Sequence, residues 1–149
     1  MKALVLVIVG AFTFNTPAPL ELEAIRNSYL LAPTDKKLCK EMITELNGSR
    51  DPVCLAYRGA FKAIWAKHIF NPIGKLETFN QGKTDIEKAV SQDPDNIEIR
   101  LIRLSVQSNA PRILGYSSNI EEDKKLLMAN RESLTSEPLK KIIDGLVGS

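Results

Sequence analysis

The sequence predicts an all-α protein, and three observations support that fold class. From Leu20 onward, apolar residues recur at the three- and four-residue spacing of amphipathic helices. Proline, glycine and asparagine interrupt this pattern where helices begin and end. No segment after residue 18 alternates polar and apolar positions long enough to indicate a strand. We therefore expect six or seven antiparallel helices, packed as a bundle or a short solenoid.

Residues 1–18 have the features of a signal peptide and are set aside from the fold. Lys2 supplies a positive charge, and the apolar run of residues 3–14 is shorter than the about 20 residues of a membrane span. Thr16 and Ala18 have cleavage-site spacing, although Pro19 is a poor context for the peptidase. An uncleaved anchor or a buried strand is the alternative. The sequence thus predicts an exported protein, periplasmic or secreted, with residues 19–149 as a single helical domain.

The first two helices follow from proline, asparagine and glycine signals. Pro19 opens the first helix, which ends before Pro33, and the second begins at Thr34 or Asp35 and stops at Asn47 and Gly48. The predicted core faces carry Leu22, Ile25 and Tyr29 in the first helix, and Leu38, Cys39, Met42, Ile43 and Leu46 in the second.

The third helix is predicted to be central because it is apolar on nearly every side. Asp51 and Pro52 read as its N-cap and first position, and it is expected to run to about Phe70. Gly59 permits close approach of another helix. Phe61 and Trp65 are predicted to be core anchors.

Two further helices are predicted between residues 71 and 108. One begins at Asn71 and Pro72, with Gly82 as a candidate break. The next is expected from Pro94, capped by Asp93, to about Ser108.

A loop over residues 109–117 precedes the last two predicted helices. Ser118 and Glu121 have capping-box spacing, so a sixth helix is expected from Asn119 to about Arg131. The last begins near Ser136 and is predicted to bury Leu139, Ile142, Ile143, Leu146 and Val147.

Residues 51–96 resemble a tetratricopeptide repeat, a helical hairpin of about 34 residues. Ile86, Ala89 and Pro94 stand at the spacing of the repeat's large, small and terminating positions, and Gly59 matches its glycine. The resemblance covers one degenerate unit and implies stacked antiparallel helix pairs that bind a peptide or protein. The chain is also similar to small exported bacterial helical proteins that have no assigned activity.

The chain has few residues of the types that carry catalysis or metal binding. His68 is the only histidine and has no metal-ligand partner at helical spacing, so we read it as a partly exposed residue at a helix end. Cys39 and Cys54 could pair after export, but their expected heights on neighbouring helices differ, which favours two buried thiols. We therefore predict no catalytic residue, no metal and no cofactor.

The charge balance argues against nucleic acid as a partner. The 20 Lys and Arg residues nearly match the 18 Asp and Glu residues, and no basic face stands out. A protein or peptide partner is expected, with no stable membrane insertion once the signal is removed.

The most pointed polar cluster lies on the fifth helix and beyond it. Arg100, Arg103 and Gln107 form a polar stripe on an otherwise apolar helix, followed by Tyr116 in the loop and Asp123 on the sixth helix. One interpretation is an ion-pair network to carboxylates at positions 121–123, because buried charges are normally paired.

The other interpretation makes these five residues a ligand site. The arginines would hold an acidic ligand or a terminal carboxylate. An enzyme could also work here, with Tyr116 or Asp123 as acid or base. The function predicted first is nevertheless an exported, non-catalytic helical binding or scaffold module.

Overall fold

A computed structural model describes residues 19–148, and their fold is all-α, as predicted. Seven helices are present in this range, with two short 3₁₀ turns (Arg112–Leu114 and Arg131–Ser133) and no strand. The helices are α1 (Pro19–Leu31), α2 (Lys36–Glu45), α3 (Pro52–Ala66), α4 (Pro72–Gln92), α5 (Ile97–Asn109), α6 (Ile120–Ala129) and α7 (Glu137–Val147). Residues 1–18, and with them the predicted signal peptide, lie outside the described residues.

Polar side chains at four helix starts accept hydrogen bonds from backbone amides that have no partner within the helix. Asp35, Asp51 and Asn71 cap α2, α3 and α4, as their sequence positions predict. In α3 and α4 a proline follows the cap, where its missing N–H costs nothing.

Helix α5 is the centre of the molecule, because every residue from 98 to 107 is buried. Its first turn joins three helices through Glu98. Tyr57 of α3 donates to Glu98 Oε1 at 2.7 Å, and Arg26 of α1 donates to both carboxylate oxygens at 2.8 and 2.6 Å. Further along, the hydroxyls of Tyr29 and Ser105 lie 2.8 Å apart. Helices α1 and α5 therefore run in the same direction.

The glycine that we expected to break α4 instead allows it to touch α3. A Cβ built on Gly82 would lie 2.5 Å from the carbonyl oxygen of Gly59, and one built on Gly59 would lie 2.5 Å from the carbonyl oxygen of Gly82. The two backbones are thus in direct contact, and α4 continues unbroken to Gln92. The predicted break was wrong because the sequence does not show that a second glycine faces Gly82.

The end of α3 and the start of α5 differ from the prediction. Helix α3 ends at Ala66, not near Phe70, because the amides of residues 67–69 bond to carbonyls three residues back, in a tighter turn. Helix α5 begins at Ile97, not Pro94, because Asn96 and not Asp93 caps it. Asp93 ends α4 instead.

The predicted capping box of α6 does not form. Asn119, not Ser118, holds the N-cap position, and neither it nor Glu121 makes a capping hydrogen bond. The helix also ends at Ala129, before the predicted Arg131, which belongs to a 3₁₀ turn.

The two cysteines are unpaired and buried, as predicted. The thiol of Cys39 donates to the carbonyl of Phe61 at 3.3 Å, which fixes α2 against α3. Burial raises the pKa of Cys39 to about 11. The core prediction for Phe61 is also confirmed, since its side chain is fully buried.

Candidate functional site

The structure brings the five residues predicted as a ligand site into one network between α4, α5 and α6. Asp123 is its centre and is 0% exposed. Arg103 donates from Nε to Oδ2 at 2.7 Å and from Nη2 to Oδ1 at 2.8 Å. Arg100 donates from Nε to Oδ1. One buried carboxylate therefore faces two guanidinium groups from successive turns of α5.

Arg100 has two further partners that complete its fork. Its Nη2 donates to Glu122 Oε1 at 2.8 Å, and its Nη1 donates to the backbone oxygen of Pro94 at 2.9 Å. The ion-pair interpretation is thus confirmed, with Glu122 and Asp123 as partners, whereas Glu121 is exposed.

Glu87 of α4 also belongs to the network, and sequence reasoning missed it. Tyr116 donates to its Oε1 at 2.7 Å, and Arg103 Nη1 donates to its Oε2 at 3.4 Å. Burial, together with the hydrogen bond to Glu87 and its negative charge, raises the pKa of Tyr116. Burial lowers the pKa of Arg103, but hydrogen bonding to Asp123 and the nearby negative charges raise it overall. Tyr116 is therefore a neutral donor and Arg103 a permanent cation.

Gln107 joins the start of α6 to the end of α5. Its Nε2 donates to Asn119 Oδ1 at 3.1 Å, and the backbone amide of Asn119 donates to Gln107 Oε1 at 3.2 Å. The side chain of Asn119 is therefore engaged with α5. This is the physical reason that it does not cap α6.

The arrangement is chemically that of a closed structural cluster. Three carboxylates, from Glu87, Glu122 and Asp123, face the two guanidinium groups, so the cations are compensated within the chain. An anion-binding site would need a guanidinium with free donors directed outward. An acid or base would need access to a substrate, whereas Asp123 is fully enclosed.

The surface around Trp65 corrects one core prediction in part. Trp65 is only partly buried, and it lines an open groove of about 700 Å³ together with residues of α2. We call this the Trp65 groove, and it is lined by Lys36, Lys37, Lys40, Glu41, Thr44, Glu45 and Trp65. The core prediction holds in part, because Trp65 packs against the hydrophobic core while the rest of its side chain remains accessible in this groove. The apolar pattern of α3 does not reveal how far a neighbouring helix extends.

Two lysines hold their ammonium groups over the indole ring. Lys36 Nζ lies 5.4 Å and Lys40 Nζ 5.3 Å from its centroid, within cation–π range. The His68 ring is 5.8 Å from the same indole, in the turn after α3. Its Nε2 is buried with no hydrogen-bond partner among the described residues. The position of His68 just past a helix end, partly exposed, agrees with the prediction.

A second depression of about 620 Å³ lies between α1 and α2. Glu41 and Glu45 line both depressions, so α2 forms the ridge between them. Neither depression includes any of the five residues of the predicted ligand site. Sequence reasoning missed this surface because lysines and glutamates on the outer face of an amphipathic helix are common in any solvated helix.

Searches for other site types and for related proteins gave no match. Within the described residues no group of three or more His, Cys, Asp or Glu side chains could hold a metal ion. None of the described helices is long and apolar enough to cross a membrane. No family model, curated protein or solved structure matches the chain.

Proposed function

We propose that this protein is an exported, non-catalytic helical binding module that holds a segment of a partner protein or peptide in the Trp65 groove. The observation that supports this is the partly exposed indole at the floor of an open depression. Tryptophan is enriched among the side chains that dominate protein interfaces, because one ring buries a large area at little cost in conformational entropy.

The lining of the groove suits a peptide more than a small polar ligand. The lysine and glutamate stems and the indole make the lining mostly apolar, and the ammonium groups of Lys36 and Lys40 lie over the indole ring. An apolar side chain of a partner would rest on the indole and replace the contacts of the two lysine ammonium groups.

The charges along α2 indicate the direction in which a partner segment would lie. Lys36, Lys37 and Lys40 occupy the first half of the helix, and Glu41 and Glu45 the second half. A segment with an acidic residue near the lysines and a basic residue near the glutamates would match both. The predicted partner motif is therefore acidic, then apolar, then basic, along α2.

The helical architecture is consistent with a scaffold role. Helices α3 and α4 form a long antiparallel hairpin, in direct backbone contact at Gly59 and Gly82. This hairpin includes the residues that resemble a tetratricopeptide repeat, and such a repeat presents its helices to peptide partners. The Trp65 groove uses the last turn of α3 and the outer face of α2.

Export is part of the proposal and has its own test. The support is Lys2 followed by the short apolar run of residues 3–14. Mass spectrometry of the native protein should find the first residues removed, with a new N-terminus near Pro19. A soluble cytoplasmic species that retains residues 1–18 would contradict export while leaving the binding proposal intact.

Selection of peptides from a random library displayed on phage tests the binding proposal. Selection against the full chain should enrich the acidic–apolar–basic pattern. Titration of the enriched synthetic peptide should change the fluorescence of Trp65, which is the only tryptophan in the chain.

Variants of the groove and of another surface separate specific from general binding. Binding is measured with a fluorescein label on the peptide. Trp65→Ala and Lys36→Glu/Lys40→Glu should each weaken it by on the order of tenfold or more. Lys88→Glu/Lys125→Glu, at two exposed lysines outside the groove, is the matched control and should bind normally. Failure to enrich any pattern, or equal binding by Trp65→Ala, would refute the proposal.

A further inference from the structure

The turn between α3 and α4 carries apolar side chains that the fold leaves in solvent. We define the hairpin tip as residues 67–76. Phe70 is 100% exposed, Ile73 78% and Leu76 48%. These three residues include the most exposed large apolar side chain among the described residues. Their exposure is unrelated to the Trp65 groove, which none of them lines.

The tip extends beyond the neighbouring helix α5. Arg103 of α5 and Glu87 of α4 lie at the same height, since their side chains meet. Helix α5 continues for six residues beyond Arg103, which is about 9 Å at about 1.5 Å per residue. Helix α4 begins fifteen residues before Glu87, which places its start about 22 Å away in the same direction. The tip therefore stands on the order of 10 Å clear of the end of α5.

Shape and charge together indicate the kind of surface the tip fits. The fully exposed Phe70 side chain stands out from the surface, whereas small-molecule sites are concave. The tip contains Lys67 and Lys75, both exposed, and no acidic residue, so it carries the same charge of +2 as the whole chain.

We propose that the hairpin tip inserts its apolar side chains into the interface of an anionic lipid membrane, with Lys67 and Lys75 at the headgroups. Apolar side chains flanked by lysines bind this interface. The apolar side chains lie about 5–10 Å deep, and the lysines contact anionic lipids. The reach of the tip beyond α5 allows that depth without contact between α5 and the headgroups. This inference goes beyond the proposed function and uses a different surface.

Co-sedimentation with vesicles tests the proposal. The probes are vesicles of phosphatidylcholine alone and of equimolar phosphatidylcholine and phosphatidylglycerol. All proteins are full chains that carry Leu6→Asp and Val9→Asp, so that the apolar run of residues 3–14 does not itself bind lipid. The parent should bind the anionic vesicles, release them in high salt, and show a blue shift of Trp65 fluorescence, since this residue lies close behind the tip.

The apolar contribution is measured with Phe70→Ser/Ile73→Ser. Both side chains are exposed, so the thermal unfolding curve should match that of the parent. The partition of this variant onto anionic vesicles should fall by more than about tenfold, because two apolar side chains that the membrane would bury are lost. Met128→Ser/Val147→Ser removes two exposed apolar side chains of α6 and α7 and should leave partition unchanged.

The charge contribution is measured with Lys67→Glu/Lys75→Glu. This variant should also lose on the order of tenfold in partition. Lys88→Glu/Lys125→Glu makes the same change in net charge elsewhere and should lose far less.

Four outcomes would overturn the proposal. They are failure of the parent to bind anionic vesicles, equal binding to both kinds of vesicle, equal binding by Phe70→Ser/Ile73→Ser, and dimerisation of the parent that this variant abolishes. The last outcome would show that a second copy of the chain covers the tip. None of these results bears on peptide binding in the Trp65 groove, so the two proposals fail independently.

Discussion

Replacing Asp123 with asparagine should destabilise the protein more than any surface charge change. The substitution keeps the size of the side chain but removes the negative charge that three guanidinium N–H groups share. Arg103, 4% exposed, would retain Glu87 at 3.4 Å as its only carboxylate partner, and the NH2 group of the asparagine, itself a donor, would face an arginine N–H. Arg100 would retain Glu122 and the carbonyl of Pro94.

The expected magnitude follows from the burial of this cluster. Removing one member of a buried ion pair costs about 3–5 kcal/mol, because the remaining charge is uncompensated. Domains unfold with only about 5–15 kcal/mol in total, so Asp123→Asn removes a large share of the stability. The melting temperature should fall by about 10–15 °C, since a chain of this length loses roughly 3 °C per kcal/mol.

Thermal and urea unfolding followed by circular dichroism measures the effect. Asp144→Asn is the control, since the ion pair of Asp144 with Arg131 is 2.6 Å long but half exposed. This substitution should lower the free energy of unfolding by less than about 1 kcal/mol. Arg103→Met should also destabilise. The triple variant Asp123→Leu/Arg100→Met/Arg103→Met should recover much of the loss, because it replaces the three buried charges of this cluster with apolar side chains.

Two results would contradict a stabilising role for the buried ion pairs of Asp123. If Asp123→Asn loses no more stability than Asp144→Asn, the buried network does not stabilise the fold. If Arg100→Met or Arg103→Met leaves stability unchanged or raises it, and added sulfate stabilises the parent, the arginines are a ligand site. That result would restore the acidic-ligand interpretation of these residues.

Three further predictions test other parts of the fold. Gly82→Ala should destabilise the protein by about 1–3 kcal/mol in urea unfolding, because the added Cβ would meet the Gly59 carbonyl. Gly145→Ala should stabilise it by up to about 1 kcal/mol, because a Cβ at this position would meet no other atom. Equal effects of the two substitutions would contradict the contact between Gly59 and Gly82. Burial raises the pKa of Asp85, but hydrogen bonds from Arg58 and Lys62 outweigh this effect and lower the pKa below the ordinary value of 3.8. The ionised Asp85 carboxylate therefore contributes its full stability above pH 3.8, and this stability is lost as the pH falls through the lower pKa of the folded state. Asp85→Asn should therefore flatten the acid limb of an unfolding titration, and an unchanged acid limb would contradict this role of Asp85. Alkylation should label both cysteines only after denaturation and without reductant; labelling that requires reduction would show a disulfide.

Local sequence patterns were sufficient for most of the secondary structure. Capping side chains and prolines act within one turn, so the starts of α2, α3 and α4 could be predicted from Asp35, Asp51 and Asn71. Apolar periodicity likewise identified most of the buried positions, but the burial predicted for Val147 was wrong, since this last residue of α7 is 45% exposed. The ion pairs of Arg100 and Arg103 with acidic residues of α6 were predictable because two buried arginines need carboxylates nearby.

The tertiary structure decided the features that depend on which helices become neighbours. Gly82 could break a helix or admit another one, and only the facing Gly59 selects the second outcome. Asn119 could cap α6, but Gln107 competes for its side chain.

The sequence by itself determined an all-α chain, the starts of α2, α3 and α4, and the need of two buried arginines for carboxylate partners, because caps act within one turn and buried charges are normally paired. Only the tertiary structure decided that Glu87 completes the polar cluster, that Trp65 lines a groove, and that Phe70 remains in solvent. The physical reason is that burial depends on where a neighbouring helix ends. Helix α2 begins beside Trp65 and α5 ends short of the hairpin tip, and neither limit is encoded in α3 itself.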